Sequence, residues 1–293
     1  MPLDYPAILA RGEKDRRFTY TDRETILYAL GVGMGHDPMD ERELDFLYEK
    51  SLKALPTLVT TVAWGAGIPT PELGLDYKLV LHCEEQTIFH KPVPPAATIL
   101  ADSRISEVYD KGKGKGAIVV RETVLRTECD NQAIATLRRF LFARGDGGLG
   151  GSKEPTEPPH MHPEREPDVI LDYPTATNQA AIYRLCGDRN PLHIEPDRAK
   201  AAGFDRPILH GLCTYGFTCR AVLEAFCDFD PALLASHQAR FAAPVFPGES
   251  LRISLWRDDD VVSFEVEVIE RSAKVVKSGK SQLRPEARDQ AKV

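Results

Sequence analysis

The chain has 293 residues, 42% hydrophobic and 28% charged, with a formal net charge of −7. That is enough for one large domain or two of about 100–150 residues, each able to bury a core. The composition is that of an ordinary globular protein, the acidic balance argues against nucleic acid as a partner, and no apolar run approaches the roughly 20 residues of a membrane helix.

Taken in chain order, the opening "MPLDYPAILARGEKDRRF" lacks the basic-then-apolar layout of a signal peptide. Thr21 with Glu24 three residues on forms a capping box and predicts a helix over "DRETILYALGVG". Period-two runs near 98–108, 117–127 and 132–142 predict strands. Glycines and then prolines in "GDGGLGGSKEPTEPPHMHPEREP", residues 145–167, exclude helix and central strand and predict a connector. It divides the chain into a first half, 1–144, and a second, 168–293. The "HMH" at 160–162 has no nearby Cys or His partners and reads as solvated linker, not as a metal site.

In the second half, "TNQAAIYRLCG" reads as a helix capped by Thr177 and closed by Gly187. Pro196 suits the first turn of a short helix ending near Gly203. In "HGLCTYGFTCRAVLEAF", Leu212, Tyr215, Gly216, Cys219, Val222, Leu223 and Phe226 recur at helical spacing and predict a largely buried helix. Val262, Phe264, Val266 and Val268 alternate with polar residues, so 250–257 and 261–270 form a hairpin that 274–283 extends. A long apolar helix followed by antiparallel strands implies an α+β unit, a sheet wrapped around a helix. Helix signals followed by strands in both halves suggest a duplicated unit whose sheets pair side by side. The six cysteines, 83, 129, 186, 213, 219 and 227, show no C-x-x-C spacing and read as reduced thiols in a cytosol-like compartment.

The loop "YRLCGDRNPLHIEP" sets Asp188, Asn190 and His193 close together around Pro191. A carboxylate and an imidazole brought to one water can exchange protons near neutrality. Asn190 supplies donor and acceptor without charge. Gly211 stands where the long helix begins, and unpaired amides there can steady an oxyanion. The same residue types also serve as plain caps and turns between helices, and spacing alone leaves both readings open.

The stretch "YRLCGDRNPLHIEPDRAKAAGFDRPILHGLCTYGFTCRAVLEAF" closely resembles the hydratase 2 motif of the MaoC-like enoyl-CoA hydratases. "YALGVG", "HKPVP", "DKGKG", "GGLGG" and "ARFAAPVFPGE" resemble further landmarks of that two-domain unit, so the likeness covers nearly the whole chain. The resemblance implies a double hot-dog fold and an (R)-specific hydro-lyase that interconverts trans-2-enoyl-CoA and (3R)-3-hydroxyacyl-CoA in fatty-acid metabolism. It implies Asp188 and His193 as a catalytic pair sharing one water, Asn190 holding the pair or the substrate, and the Gly211 amide on the thioester oxygen.

By the same resemblance the first half lacks catalysis and makes room for an acyl chain. "LHCEEQ" stands where relatives carry His-Gly-Glu, so His82 and Cys83 would line the substrate site, with Cys83 departing from the glycine. Lys111, in "DKGKGKG", matches a CoA contact, against a plain reading as a charged hairpin turn. Arg189, Pro191 and Leu192 fall in the same substrate-binding stretch, and Phe241 matches a ligand-contacting aromatic that strand packing would equally explain. The expected partners are an acyl-CoA thioester and a second copy of the chain, with no metal, no cofactor and no membrane. The expected location is cytoplasmic, or peroxisomal despite a C-terminus that is not Ser-Lys-Leu. Competing readings are a dehydratase of acyl-carrier-protein or specialised thioesters, a non-catalytic acyl-CoA-binding protein, and a thioesterase.

Overall fold

A computed structural model describes residues 5–75, 79–148, 150 and 158–288. The capping box forms as its residues dictate: Thr21 and Glu24 bond reciprocally at the start of the helix Asp22–Gly31. The helices are α1 Tyr5–Leu9, α2 Asp22–Gly31, α3 Val59–Val62, α4 Gln179–Tyr183, α5 Pro196–Ala201 and α6 Gly211–Phe226. The strands are β1 Gly12–Tyr20, β2 Val80–Phe89, β3 Ala97–Asp110, β4 Ala117–Thr127, β5 Ala133–Ala143, β6 Val169–Pro174, β7 Leu234–Phe241, β8 Ser250–Asp258, β9 Val261–Val268 and β10 Ala273–Leu283.

All ten strands form one sheet in the order β1-β3-β4-β5-β2-β7-β10-β9-β8-β6, each pair antiparallel. The order reads the same from either edge, five strands from each half, and the halves join where β2 pairs with β7 from Glu84↔Arg240 to Ile88↔Ser236. This is the double hot dog. In each half a strand, β1 or β6, precedes the helix with which the pattern suggests the unit starts. β1, "GEKDRRFTY", is an exposed, charged edge strand with a bulge between Glu13 and Arg16, so it carries no apolar alternation to betray it.

In the second half the sheet wraps α6, which is buried all round from Leu212 to Leu223. Gly216 is there because α2 ends against it: a Cβ at that position would meet Val32 Cγ1 at 2.4 Å and Tyr28 Oη at 3.0 Å. The first half has no such long helix. Residues 56–70 cover the inner face of β2, β4 and β5 instead. Two local expectations are corrected. The cap of α4 is Asn178, without a side-chain bond; Gln179 takes the Ala176 N–H itself and donates to the Gly31 carbonyl across the molecule. The "HMH" stretch is not solvated throughout: His160 Nε2 lies 2.8 Å from Ser263 Oγ, and His162 stacks on Trp256 beside Glu265.

Two buried polar clusters tie the halves together. Arg220 of α6 pairs with Glu43 at 2.6 Å, both nearly inaccessible, and its guanidinium lies over the Tyr173 ring. Tyr215 Oη donates to the His237 carbonyl at 2.6 Å and lies 3.0 Å from Thr87 Oγ1, spanning the β2–β7 seam. The His237 ring is fully buried between Ser281 Oγ and Thr218 Oγ1, at 2.7 and 2.9 Å. Because the Thr218 hydroxyl donates to the Tyr215 carbonyl, it accepts from His237 Nε2–H, and the neutral ring is satisfied at both nitrogens.

Arg220→Met leaves Glu43 as an unpaired buried charge and is expected to cost about 3–5 kcal/mol, read as a fall in thermal midpoint. Burial pushes the His237 pKa down to about 3, so its stabilisation is complete above the unfolded histidine value and is lost as pH falls. Thermal melts between pH 6 and 5 are expected to show stability declining with acid, and His237→Gln to flatten that decline by about 1.4 kcal/mol per pH unit.

Candidate active site

The loop between α4 and α5 is shaped by its own side chains. Gly187, at φ 143°, turns the chain away from α4, in a conformation that L residues rarely adopt. Asp188 Oδ1 then accepts the Asn190 N–H at 3.1 Å, and Asn190 Oδ1 accepts the Leu192 N–H at 3.0 Å. Pro191 opens a 3-10 turn that ends on His193. This sequence of bonds delivers His193 into the interior while Arg189 and Asn190 stay exposed.

His193 Nδ1 lies 2.8 Å from the Ile208 carbonyl, which requires its proton and leaves Nε2 as the acceptor of the neutral ring. The ring stacks on His210 with centroids 3.7 Å apart, and His210 Nε2 bonds the Asp188 carbonyl. Ligand-bearing atoms of Asp188, His193 and His210 all lie within 4.8 Å of one another. Burial pulls the His193 pKa below its ordinary value, against the opposing pull of the Asp188 carboxylate. Burial, then the neighbouring His193, brings His210 down to about 3. Both rings are therefore neutral at pH 7. The stacked rings, 28° apart in tilt, hold their remaining lone pairs, on His193 Nε2 and His210 Nδ1, in nearly parallel planes.

His210 caps α6 without a side-chain bond, so the first amides of that helix, starting at Gly211, have no intrahelical partner. A Cβ on Gly211 would lie 3.5 Å from the Phe241 ring, and that ring meets His82 edge-on at 5.1 Å. His82 Nε2 lies 2.9 Å from Glu85 Oε2, whose carboxylate also receives Arg139 at 3.0 Å. Burial raises the Glu85 pKa, but Arg139 and His82 overcome it and hold it below the ordinary carboxylate value. Burial likewise opposes the charge of Arg139, yet Glu85 and Asp188 keep its pKa raised. Trp64 lies against Gly187 and under the Arg139 guanidinium, closing the ring of contacts.

The structure thus brings Asp188, His193, Gly211, Phe241 and His82 together, from both halves. Two expected residues pack against other side chains. Cys83 is the extra residue of a β-bulge in β2, where His82 pairs with Leu141 and Glu84 with Phe140. The bulge turns His82 and Glu85 to the same inner face and packs Cys83 instead against Tyr109, Val120 and Phe140, so the thiol does not line the site beside His82. Lys111 lies over the Phe142 ring at 5.2 Å. Asn190 spends its side-chain oxygen on the turn that carries His193. Leu192 and Pro191 are half-buried within the same turn.

His210, Glu85, Arg139 and Trp64 escaped the sequence reading. Arg139 carried a signal, a charge between Leu137 and Leu141 on the inward face of a period-two strand. His210 carried only its place directly before Gly211.

A carboxylate and a neutral histidine thus meet at the start of a helix wrapped by a double hot-dog sheet. Residues 18–145 match the MFE-2 hydratase 2 N-terminal domain, and residues 159–278 match the MaoC like domain. Enoyl-CoA hydratase ChsH3 of Mycobacterium tuberculosis is 41% identical, over 95% of this chain and 98% of its own. The peroxisomal enoyl-CoA hydratase 2 of Arabidopsis thaliana is 35% identical, with 92% of each chain covered. A crystal structure of a MaoC-like dehydratase from Phytophthora capsici superposes with a TM-score of 0.84 at 32% identity, over 94% of this chain and 97% of that one. The chain belongs to the MaoC-like hydratase family, in its two-domain hydratase 2 form.

Asn190→Ala is expected to cost about 1 kcal/mol of stability, the value of a lost cap, whereas Asn190→Asp keeps the acceptor and the melting temperature.

Proposed function

We propose that the protein is an (R)-specific enoyl-CoA hydratase that adds water reversibly to trans-2-enoyl-CoA to give (3R)-3-hydroxyacyl-CoA, in fatty-acid metabolism. The observation that carries the reading is the convergence of Asp188 and a neutral His193 beside the free amides that begin α6. Relatives that match over nearly their whole length and are named enoyl-CoA hydratases support it.

In this mechanism a water lies between Asp188 and His193. His193 Nε2 takes a proton as the water oxygen bonds to C3 of the enoyl group. The electron pair of the double bond moves to C2, and the enolate charge rests on the thioester oxygen, facing the Gly211 N–H at the positive end of α6. The proton withdrawn from water returns through the Asp188–His193 pair to C2, on the face that received the hydroxyl. Atoms and charge balance without a redox cofactor, since no net electrons move. Phe241 and His82 form the opposite wall, and Arg139 offsets the Asp188 charge. Asn190, Arg189, Pro191 and Leu192 act by holding the turn.

In the same reading Lys111 meets a CoA phosphate as a point charge. The first half, from residue 1 to 144, contributes acyl-chain space and no catalytic pair, with 145–167 as the connector to the catalytic half, 168–293. The protein works as a homodimer, which sedimentation tests. Six unpaired cysteines support a reducing compartment, and no described helix is long and apolar enough to cross a membrane.

Crotonyl-CoA or a longer enoyl-CoA is expected to lose its conjugated absorbance on addition of enzyme, with the (3R) product on chiral analysis. Asp188→Asn and His193→Gln are each expected to lower kcat by at least about 10²–10⁴-fold while the melting curve survives. Full turnover in either variant overturns the mechanism.

A further inference from the structure

The inner face of the first half carries a charged row where a hot-dog sheet is otherwise apolar. Glu85 of β2, Arg139 of β5 and Arg121 of β4 lie directly opposite one another across three adjacent strands. Residues 59–70 arch over this row and leave a cavity of about 210 Å³, lined in part by Thr60, Trp64, Glu85, Arg121, Thr123 and Arg139. That is far more than the ~10–15 Å³ a single water needs. The cavity adjoins the acid–base loop, because Trp64 packs on Gly187 and Arg139 lies within electrostatic reach of Asp188.

The charges in this cavity do not cancel. Arg139 is matched by Glu85. Arg121 donates to the Ile68 carbonyl at 2.5 Å, its Nε is buried with no hydrogen-bond partner, and no carboxylate among the described residues pairs with it. Burial, then repulsion from Arg139, brings its pKa down to about 10, which still leaves it charged at neutral pH. A half-buried guanidinium with no counter-charge is costly, and an anion delivered to it recovers the lost solvation. A purely hydrocarbon tail recovers none of it.

We propose that this cavity takes the far end of an acyl group that itself ends in a carboxylate, with Arg121 as the counter-ion. Arg121 is then a specificity residue, and the favoured substrates are enoyl-CoA esters of dicarboxylic acids. The inference rests on the hydratase reading for its substrate class, not for the existence of the anion site. Glu85 Oε1, also buried without a partner, accepts from a water that accompanies the carboxylate.

Two measurements on the full chain test the inference. The first compares kcat/KM for methyl-terminated and carboxylate-terminated trans-2-enoyl-CoA esters from C6 to C12. At one or more lengths the carboxylate ester is expected to be favoured, and Arg121→Met to lower the ratio of the two at least tenfold, with Arg121→Lys intermediate. A preference for the methyl ester at every length, or an unchanged ratio in Arg121→Met, overturns the proposal. The second is calorimetric titration with saturated suberyl-CoA and octanoyl-CoA, which needs no turnover. If no enoyl-CoA is hydrated but suberyl-CoA binds at least tenfold tighter, and Arg121→Met removes the difference, the anion site stands and the hydratase reading falls. Equal binding of the two esters sinks the anion site, whatever the turnover shows. Removing an unpaired, half-buried charge is not expected to lower the melting temperature, so a well-folded Arg121→Met variant is available for both experiments.

Discussion

Everything at the site depends on the pairing of β2 with β7, five residues long, which turns two half-sheets into one. Asp188, His193, His210 and Gly211 come from one side of that seam; His82, Glu85 and Arg139 come from the other. Only the antiparallel register Glu84↔Arg240 through Ile88↔Ser236 sets His82 beside Phe241, and hence beside the first turn of α6. A one-residue slip would invert every side chain of the strand and carry Glu85 to the outer face. The bulge at Cys83 works with this register, because residues three apart share a face only when the ladder is broken between them.

The two halves share strand order and differ in what lies against the sheet. In the second, α6 fills the concave face with apolar side chains, and its N-terminus presents amides beside the loop of Asp188 and His193. In the first, short turns replace the helix, so the same face keeps a cavity and tolerates a row of charged residues. One strand order is thus used twice, once around a long helix and once under short turns that leave a cavity. The halves are locked by buried polar contacts such as Arg220–Glu43 and Tyr215–Thr87, whose geometry admits little sliding.

The neutrality of both site histidines follows from burial and from committed nitrogens. His193 gives Nδ1–H to Ile208, and His210 reaches the Asp188 carbonyl, so the tautomers are decided by backbone carbonyls that no sequence pattern announces. The loop is legible in its residues, but its bland and its chemical readings both hold in part. Asn190 does cap a turn, and that cap delivers His193.

By itself the sequence determined the elements whose physics is local: the Thr21 capping box, the buried helix from Gly211, the period-two strands of both halves and the Pro191 bend between Asp188 and His193. Its long ordered motif also pointed to the family and the fold. What only tertiary structure decided was long-range: the charged edge strand β1, which shows no apolar period; the face to which Cys83 turns; the meeting of His210, Glu85 and Arg139 with the loop of Asp188 and His193; and the uncancelled charge on Arg121. These depend on which strands pair and in what register, a choice made by burial over the whole sheet, and neighbouring residues in the chain carry no record of it.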